Sequence, residues 1–212
     1  MRLFLIAVLF FAIGLSAHSQ TKAITTGGDT VLLNEDGTWV YQNKYSSSAN
    51  IDKILLNDTK YTKPAASTKF LTGGKGIYEI WYDPSIWVKA NPSKYNDDAE
   101  LALEMNGKVA YGIMIYEKVE IPVESLLEIA LENAQSSAPN FKVISKEYRM
   151  VNGIKVALMQ MEGNIEGINA TYYSYYYSNS NGTWQFHAYT MTSLFKQLKK
   201  QMEALLNGLV IK

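Results

Sequence analysis

Apolar residues recur at two different spacings along this chain, and the change of spacing separates helices from strands. Between Pro122 and Pro139, the residues Val123, Leu126, Leu127, Ala130 and Ala134 share one helical face, with Glu124, Glu128, Glu132 and Gln135 away from it. Pro122 suits the first helical position and Pro139 ends the run. A second stripe, Leu194, Leu198, Met202 and Leu205, predicts a terminal helix capped by Ser193 and closed at Gly208. Between these helices the period falls to two, and residues 141–151, 154–162, 167–178 and 183–191 read as strands. Residues 77–82, 99–105 and 108–118 read as strands before the first helix. The order is strands, helix, four strands, helix, which predicts an α+β fold: an antiparallel sheet of about six to seven strands with two packing helices, an α/β/α sandwich.

Two hairpins allow a register to be argued. In residues 171–189, a four-residue loop at Asn179–Gly182 would set Tyr177 opposite Trp184, Tyr175 opposite Phe186 and Tyr173 opposite Ala188, a sound core face, whereas an odd loop length would exchange the two faces. The other face then collects Tyr172, Ser174, Tyr176, Gln185, His187 and Tyr189. Around Asn106-Gly107, a two-residue turn would place Glu100 and Glu104 on the face of Tyr111 and Ile113. A three-residue loop pairs Leu103 with Val109 and Leu101 with Tyr111. Matched hydrophobic faces favour the second, because a slip of one residue turns every side chain over.

The N-terminal part is organised differently. Arg2, the apolar run from Leu3 to Leu15 and the small residues Ser16-Ala17-His18-Ser19 have the order of a secretory signal peptide, with cleavage expected before Gln20. The run is too short to span a bilayer. Residues 20–42 then read as a three-stranded β meander with turns at Gly27-Gly28-Asp29 and Asn34-Glu35-Asp36-Gly37. Its stretch DTVLLNEDGTWVY is similar to a short hairpin motif found near the start of many exported proteins of Gram-negative bacteria. Within it, Trp39 has little local protein to bury it, and docking on the main domain or on a partner both stay open. Residues 43–69, rich in Ser, Asn, Lys and Thr, read as a linker with one helical turn near Ile51 to Leu56. The main domain follows over residues 70–212.

Within that domain the motif YDPSIW at Tyr82–Trp87, the helix over 122–138, MVNGIKVALMQMEG at Met150–Gly163 and FKQLKKQMEALLNG at Phe195–Gly208 carry a resemblance. Together they resemble the PsbP-like fold, shared with the DcrB envelope proteins and with a nuclear-import factor that binds Ran. The resemblance covers about two thirds of the chain. It implies an interaction domain without a common active site.

Composition removes several chemistries. Without Arg2 the balance is 19 basic to 20 acidic residues, so attraction to nucleic acid or an anionic membrane is disfavoured. There is no cysteine, and His187 is the single histidine after the leader. Cysteine nucleophiles and multi-ligand Cys/His metal sites are thereby excluded, and no cofactor is expected. Gly73-Gly74-Lys75-Gly76 lacks the spacing of a phosphate loop and reads as a turn. Asn34-Glu35-Asp36-Gly37 and Asn96-Asp97-Asp98 lack the alternate spacing of a calcium loop. Trp87, after Asp83-Pro84, reads as a core plug.

What remains is the aromatic face. Tyr172, Tyr176, Gln185, His187 and Tyr189 combine flat apolar area with hydroxyl, amide and imidazole groups, a mixture suited to a glycan, a peptide or an envelope protein. The competing expectation is that the terminal helix covers this face. The functional expectation is an exported, non-catalytic binding or assembly module of the bacterial envelope. A carboxylate-dependent hydrolase of envelope glycans, using residues such as Glu117 and Glu120, is the alternative.

Overall fold

The computed structural model describes residues 21–24, 30–33, 39–41, 54–107 and 109–212. The expected leader and both meander turns lie outside the described residues, as do residues 51–53 of the expected helical turn and the side chain of Trp39. The chain divides into two units, Met1–Ser47 and Ser48–Lys212. In the first, strands β1 (Thr21–Ile24), β2 (Thr30–Leu33) and β3 (Trp39–Tyr41) form an antiparallel sheet in that order. This is the expected meander.

The second unit is built on an eight-stranded sheet. Its strands are β4 (Leu56–Tyr61), β7 (Trp87–Ala90), β8 (Ala99–Met105), β9 (Ala110–Glu117), β10 (Lys142–Val151), β11 (Ile154–Ile165), β12 (Ile168–Asn179) and β13 (Gly182–Met191). Their order is β4-β10-β11-β12-β13-β9-β8-β7. A smaller sheet, β14-β6-β5, joins β5 (Lys69–Gly73), β6 (Tyr78–Tyr82) and β14 (Leu209–Ile211). Helix α1 is Val123–Ser137 and helix α2 is Thr192–Leu206.

Strand alternation assigns each helix to its own face. On β11, Val156 and Leu158 share a core with Tyr173, Tyr175, Phe186 and Ala188, under Leu198, Met202 and Leu205 of α2. The small sheet closes the same core through Tyr78, Ile80 and Tyr82. The intervening residues, Ala157, Met159 and Met161, turn the other way and pack with Tyr176 against Leu126, Leu127 and Ala130 of α1. Burial of these two faces is the main stabilising term. The last hairpin has the expected register, with Tyr177, Tyr175 and Tyr173 opposite Trp184, Phe186 and Ala188. Trp87 is buried in the core on the α2 side, as expected.

Four expectations need correction. Residues 56–61 are not linker but β4, which pairs parallel with β10, so the sheet is mixed and longer than expected. Its sequence LNDTKY hides it: an edge strand lies open to water, keeps no apolar alternation, and is held mainly by its ladder and by Asn57 Nδ2 on Glu147 at 3.2 Å. The hairpin at Asn106-Gly107 adopts neither register considered, since Leu103 pairs with Gly112 and Glu104 with Tyr111. Its facing follows the rejected alternative, with Glu104 beside Tyr111. Both faces of β8 are apolar in part, Leu103 on one and Ala102 on the other, so matching hydrophobic residues could not choose between them. Ser193 does not cap α2, which begins at Thr192 with Met191 at the cap position. Finally, the chain continues past α2 into β14, too short to leave a periodicity.

Gly208 makes that last turn possible. Its carbonyl accepts from Trp81 N at 2.9 Å, and a Cβ there would lie 1.8 Å from the Trp81 carbonyl oxygen. Gly208→Ala should therefore force β14 off β6 and destabilise the fold by about 2 kcal/mol, read as a lowered denaturation midpoint. An unchanged midpoint would show that the backbone yields at no cost.

Candidate functional site

Helix α1 covers only part of its face. It packs over β11 and β12, and its flank toward β13 and β9 carries the short side chains Ala130, Asn133, Ala134 and Ser137. Over β13 and β9 these side chains leave a cleft of about 580 Å³ between helix and sheet. Its floor is Ile113 of β9 with Gln185 and His187 of β13, all buried. Phe141, Met161 and Ile165 close one side, and Tyr95, Asn96 and Asp98, from the connection between β7 and β8, close the other. Exposed Asp98, Glu117, Asn133 and Ser137 stand at the mouth.

The structure brings four of the five sequence-derived site residues into this cleft. Tyr172, Gln185, His187 and Tyr189 line it. Tyr176 does not: it is fully buried under α1 with Leu126 and Ala157, because the helix crosses the sheet at its position. Its hydroxyl finds no hydrogen-bond partner of good geometry. The covering helix on this side is α1, whereas the terminal helix takes the opposite face.

Strand register arranges the tyrosines in a row. Tyr172 is directly opposite Tyr189, and Tyr189 opposite Tyr111, so their rings meet in sequence across β12, β13 and β9. Tyr172 and Tyr189 stack at 4.9 Å and 15°, Tyr189 and Tyr111 lie at 5.3 Å, and Tyr111 and Tyr95 at 5.1 Å. Such offset contacts lock the rings and leave their edges along the cleft. Tyr95 donates its hydroxyl to Glu104 at 2.5 Å, which fixes the connection that forms that wall. Burial, helped by Glu104, pushes the Tyr95 phenol up to about 12. Burial raises Tyr172 as well, and it raises Tyr189 together with the neighbouring phenols. All three are neutral at physiological pH.

Among the described residues, no carboxylate is hydrogen-bonded to His187. Its Nδ1 is 2.9 Å from Ser174 Oγ, its cross-strand neighbour, and its ring sits edge-on to Tyr176 at 5.7 Å and Tyr172 at 6.3 Å. Burial pushes its pKa down to about 4, so the imidazole is neutral and the cleft floor uncharged. Ser174 is completely buried, so this serine–histidine pair positions the ring and cannot present a nucleophile to a substrate. The Gln185 amide, on a residue 8% exposed, has no hydrogen-bond partner among the described residues. Buried amides are normally paired, so an unpaired one lining a cavity is the polar group most available to a ligand.

Other candidates resolve into structure. The Gly74 N–H donates to Glu100 at 2.8 Å, so the glycine cluster gives to a carboxylate the donor that a phosphate would use. Asn96 accepts from the Asp98 N–H at 2.7 Å in a side-chain turn. Among the described residues, no group of three or more His, Cys, Asp or Glu side chains converges on a metal-sized site. No described helix is long and apolar enough to cross a membrane.

Sequence reasoning missed Tyr95, Ile113, Phe141 and Met161 among the lining residues, and Tyr111 in the ring row behind them. Tyr111 and Ile113 were within reach, since the rejected hairpin facing puts them on the aromatic side. Nothing in the sequence marks the shortness of the α1 flank as a cavity.

The fold with this cleft is of the PsbP-like class. The solution structure of cyanobacterial PsbP (CyanoP) from Synechocystis sp. PCC 6803 matches with a TM-score of 0.54 at 12% identity, over 70% of this chain and 95% of that one. Also similar are PA94, a protein of unknown function from Pseudomonas aeruginosa (TM-score 0.44, 15% identity, 68% of this chain and 96% of that one), and LpqN, involved in cell envelope biogenesis of Mycobacterium tuberculosis (0.43, 11%, 68% and 90%). Identity at this level speaks for the fold alone. No protein-family model matches the sequence, and no curated protein matches it.

Proposed function

We propose that this chain is an exported, non-catalytic binding module of the bacterial envelope, and that the cleft between α1 and the sheet is its ligand site. The observation that carries the reading is the cleft floor, where buried Gln185 and His187 face a cavity of ligand size with hydrogen-bonding capacity left over. The leader-like first 19 residues and the hairpin motif in residues 29–41 support export, and so does the resemblance to DcrB envelope proteins. The hydrolase alternative gains little: the carboxylates at the cleft, Asp98 and Glu117, are both exposed at its mouth.

The test has two parts. Full-length chain expressed in a Gram-negative host should be recovered outside the inner membrane, beginning at Gln20. A screen of neutral saccharides and short peptides against it, followed by NMR, should perturb Gln185, His187 and Tyr189. Ala134→Trp, which fills the cleft from the helix side, should weaken any such binding at least about tenfold while leaving the melting temperature within a few degrees. Binding that survives a filled cleft would move the site elsewhere.

A further inference from the structure

The charged groups at the cleft are all of one sign. No lysine or arginine lines it, and the two charged residues that do, Asp98 and Glu117, are both carboxylates. Neither forms an ion pair among the described residues. They stand at neighbouring strand ends: Asp98 directly precedes Ala99 of β8, which pairs with Ile115 of β9, and Glu117 closes β9. Ala134 and Ser137, in the last turn of α1, line the cleft too, and that turn carries no basic residue to offset the negative end of the helix dipole. Buried His187 is neutral. Lys94, which lies over the Tyr95 ring, is paired with Glu104 and does not line the cleft.

An anionic ligand entering here would lose its water and gain no counter-charge. A neutral one would leave both carboxylates and the helix end as they are. A cation gains from all three. Inside the cleft, Gln185, 8% exposed and without a hydrogen-bond partner among the described residues, adds a carbonyl acceptor. Phe141, Met161 and Ile165 supply an apolar wall, so the space suits a cation with an organic body rather than a bare metal ion.

The tyrosines decide which kind of organic cation. A quaternary ammonium, with no N–H to donate, is held over open aromatic faces. Here the faces are taken. Tyr189 lies between Tyr172 and Tyr111, Phe141 stands against Tyr172 at 5.7 Å, and the Lys94 ammonium is 5.1 Å above Tyr95. The acceptors that remain, the two carboxylates and the Gln185 carbonyl, call for N–H donors. Resting on the reading of the cleft as a ligand site, we propose that it binds a protonated primary amine carried on an apolar body, with the ammonium group held toward Asp98 and Glu117.

The experiment is an NMR titration of the full chain with four probes that share a phenyl body: 2-phenylethylammonium, its N-trimethylated counterpart, 2-phenylethanol and phenylacetate. We expect the primary ammonium to shift Gln185, His187 and Tyr189 and to bind at least about fivefold tighter than the alcohol and the acid, the amount two exposed ion pairs supply. It should exceed the trimethylated probe at least about threefold, through the N–H donors that probe lacks. Raising the salt from about 20 to about 300 mM should shrink the advantage over the alcohol, because both carboxylates face water. Asp98→Asn with Glu117→Gln, which keeps shape at two exposed positions, should bring the ammonium within about twofold of the alcohol at an unchanged melting temperature. Equal affinity for ammonium and alcohol, a preference that survives the double change, or trimethylated binding as tight as the amine would each overturn the amine assignment; shifts in the same cleft residues would then spare the cleft. If none of the four perturbs a cleft residue, the amine proposal fails; if Ala134→Trp also leaves the binding of every screened ligand intact, the reading of the cleft as the site fails with it.

Discussion

Replacing Arg149 by alanine should cost the fold about 3 to 5 kcal/mol. The guanidinium is on a residue 5% exposed and joins three elements. Its Nε donates to Glu147 at 2.5 Å, its Nη1 to Glu203 of α2 and to Tyr175 Oη at 3.3 Å, and its Nη2 to Tyr173 Oη at 2.9 Å. Tyr61 of β4 lies against its face at 4.5 Å, and Tyr175 donates its own proton to Asn207 at 2.8 Å. The pairing itself adds little net energy, because burying the charge offsets much of the attraction. The loss comes from what removal leaves behind: a partly buried Glu203 carboxylate and two buried phenols short of a partner. Arg149→Lys should recover only part of it, since an ammonium cannot donate along four directions in one plane. Urea denaturation of the wild type, Arg149→Ala, Arg149→Lys and the double change Arg149→Met with Glu203→Leu decides the matter. The double variant should lose less than Arg149→Ala alone, and a greater loss would show that the pair itself, rather than the orphaned carboxylate, carries the energy.

The second large effect is one of pH. His187 titrates near 6.5 in an unfolded chain, and burial in the fold pushes it to about 4. Between those values the unfolded state binds the extra proton, so stability falls as pH falls. This single group should make the protein about 3 kcal/mol less stable at pH 4 than at pH 7, with the decline beginning near 6.5. The carboxylates act later. Glu79, held down by Lys212, Glu124, held down by Tyr148, and Asp83, held down by Ser85, all lie below their ordinary values of 4.5, 4.5 and 3.8. Their contribution is present above those values and is lost only as pH drops further. His187→Gln should therefore flatten the stability curve between about pH 6.5 and 4.5 and leave the fall below it. A wild-type curve already flat in that window would mean that His187 reaches water in the folded state.

Much of this protein follows from sequence. A period of two over residues 141–191 and of three to four over the helices defined the α+β class, and motifs such as YDPSIW and MVNGIKVALMQMEG carried the resemblance to the PsbP-like fold. The last hairpin takes the register of an even loop, one of the two that the sequence left open, and Tyr173, Tyr175, Phe186 and Ala188 form its dry face. Tertiary structure alone decided the rest. β4 and β14 carry no pattern of their own: an edge strand and a three-residue strand are specified by the neighbours they pair with. The Asn106-Gly107 hairpin could not be registered locally, since both sides of β8 are apolar in part, Leu103 in the core under α2 and Ala102 packed with Ile113, Tyr95 and Tyr189. The same arrangement divided the candidate face. Tyr176 and His187 are indistinguishable by alternation, yet α1 crosses over one and stops short of the other with Ala130 and Ala134. Alternation tells which way a side chain points, but only the packing of a distant helix, and the length of the side chains on its flank, tells whether it meets protein or an open cleft.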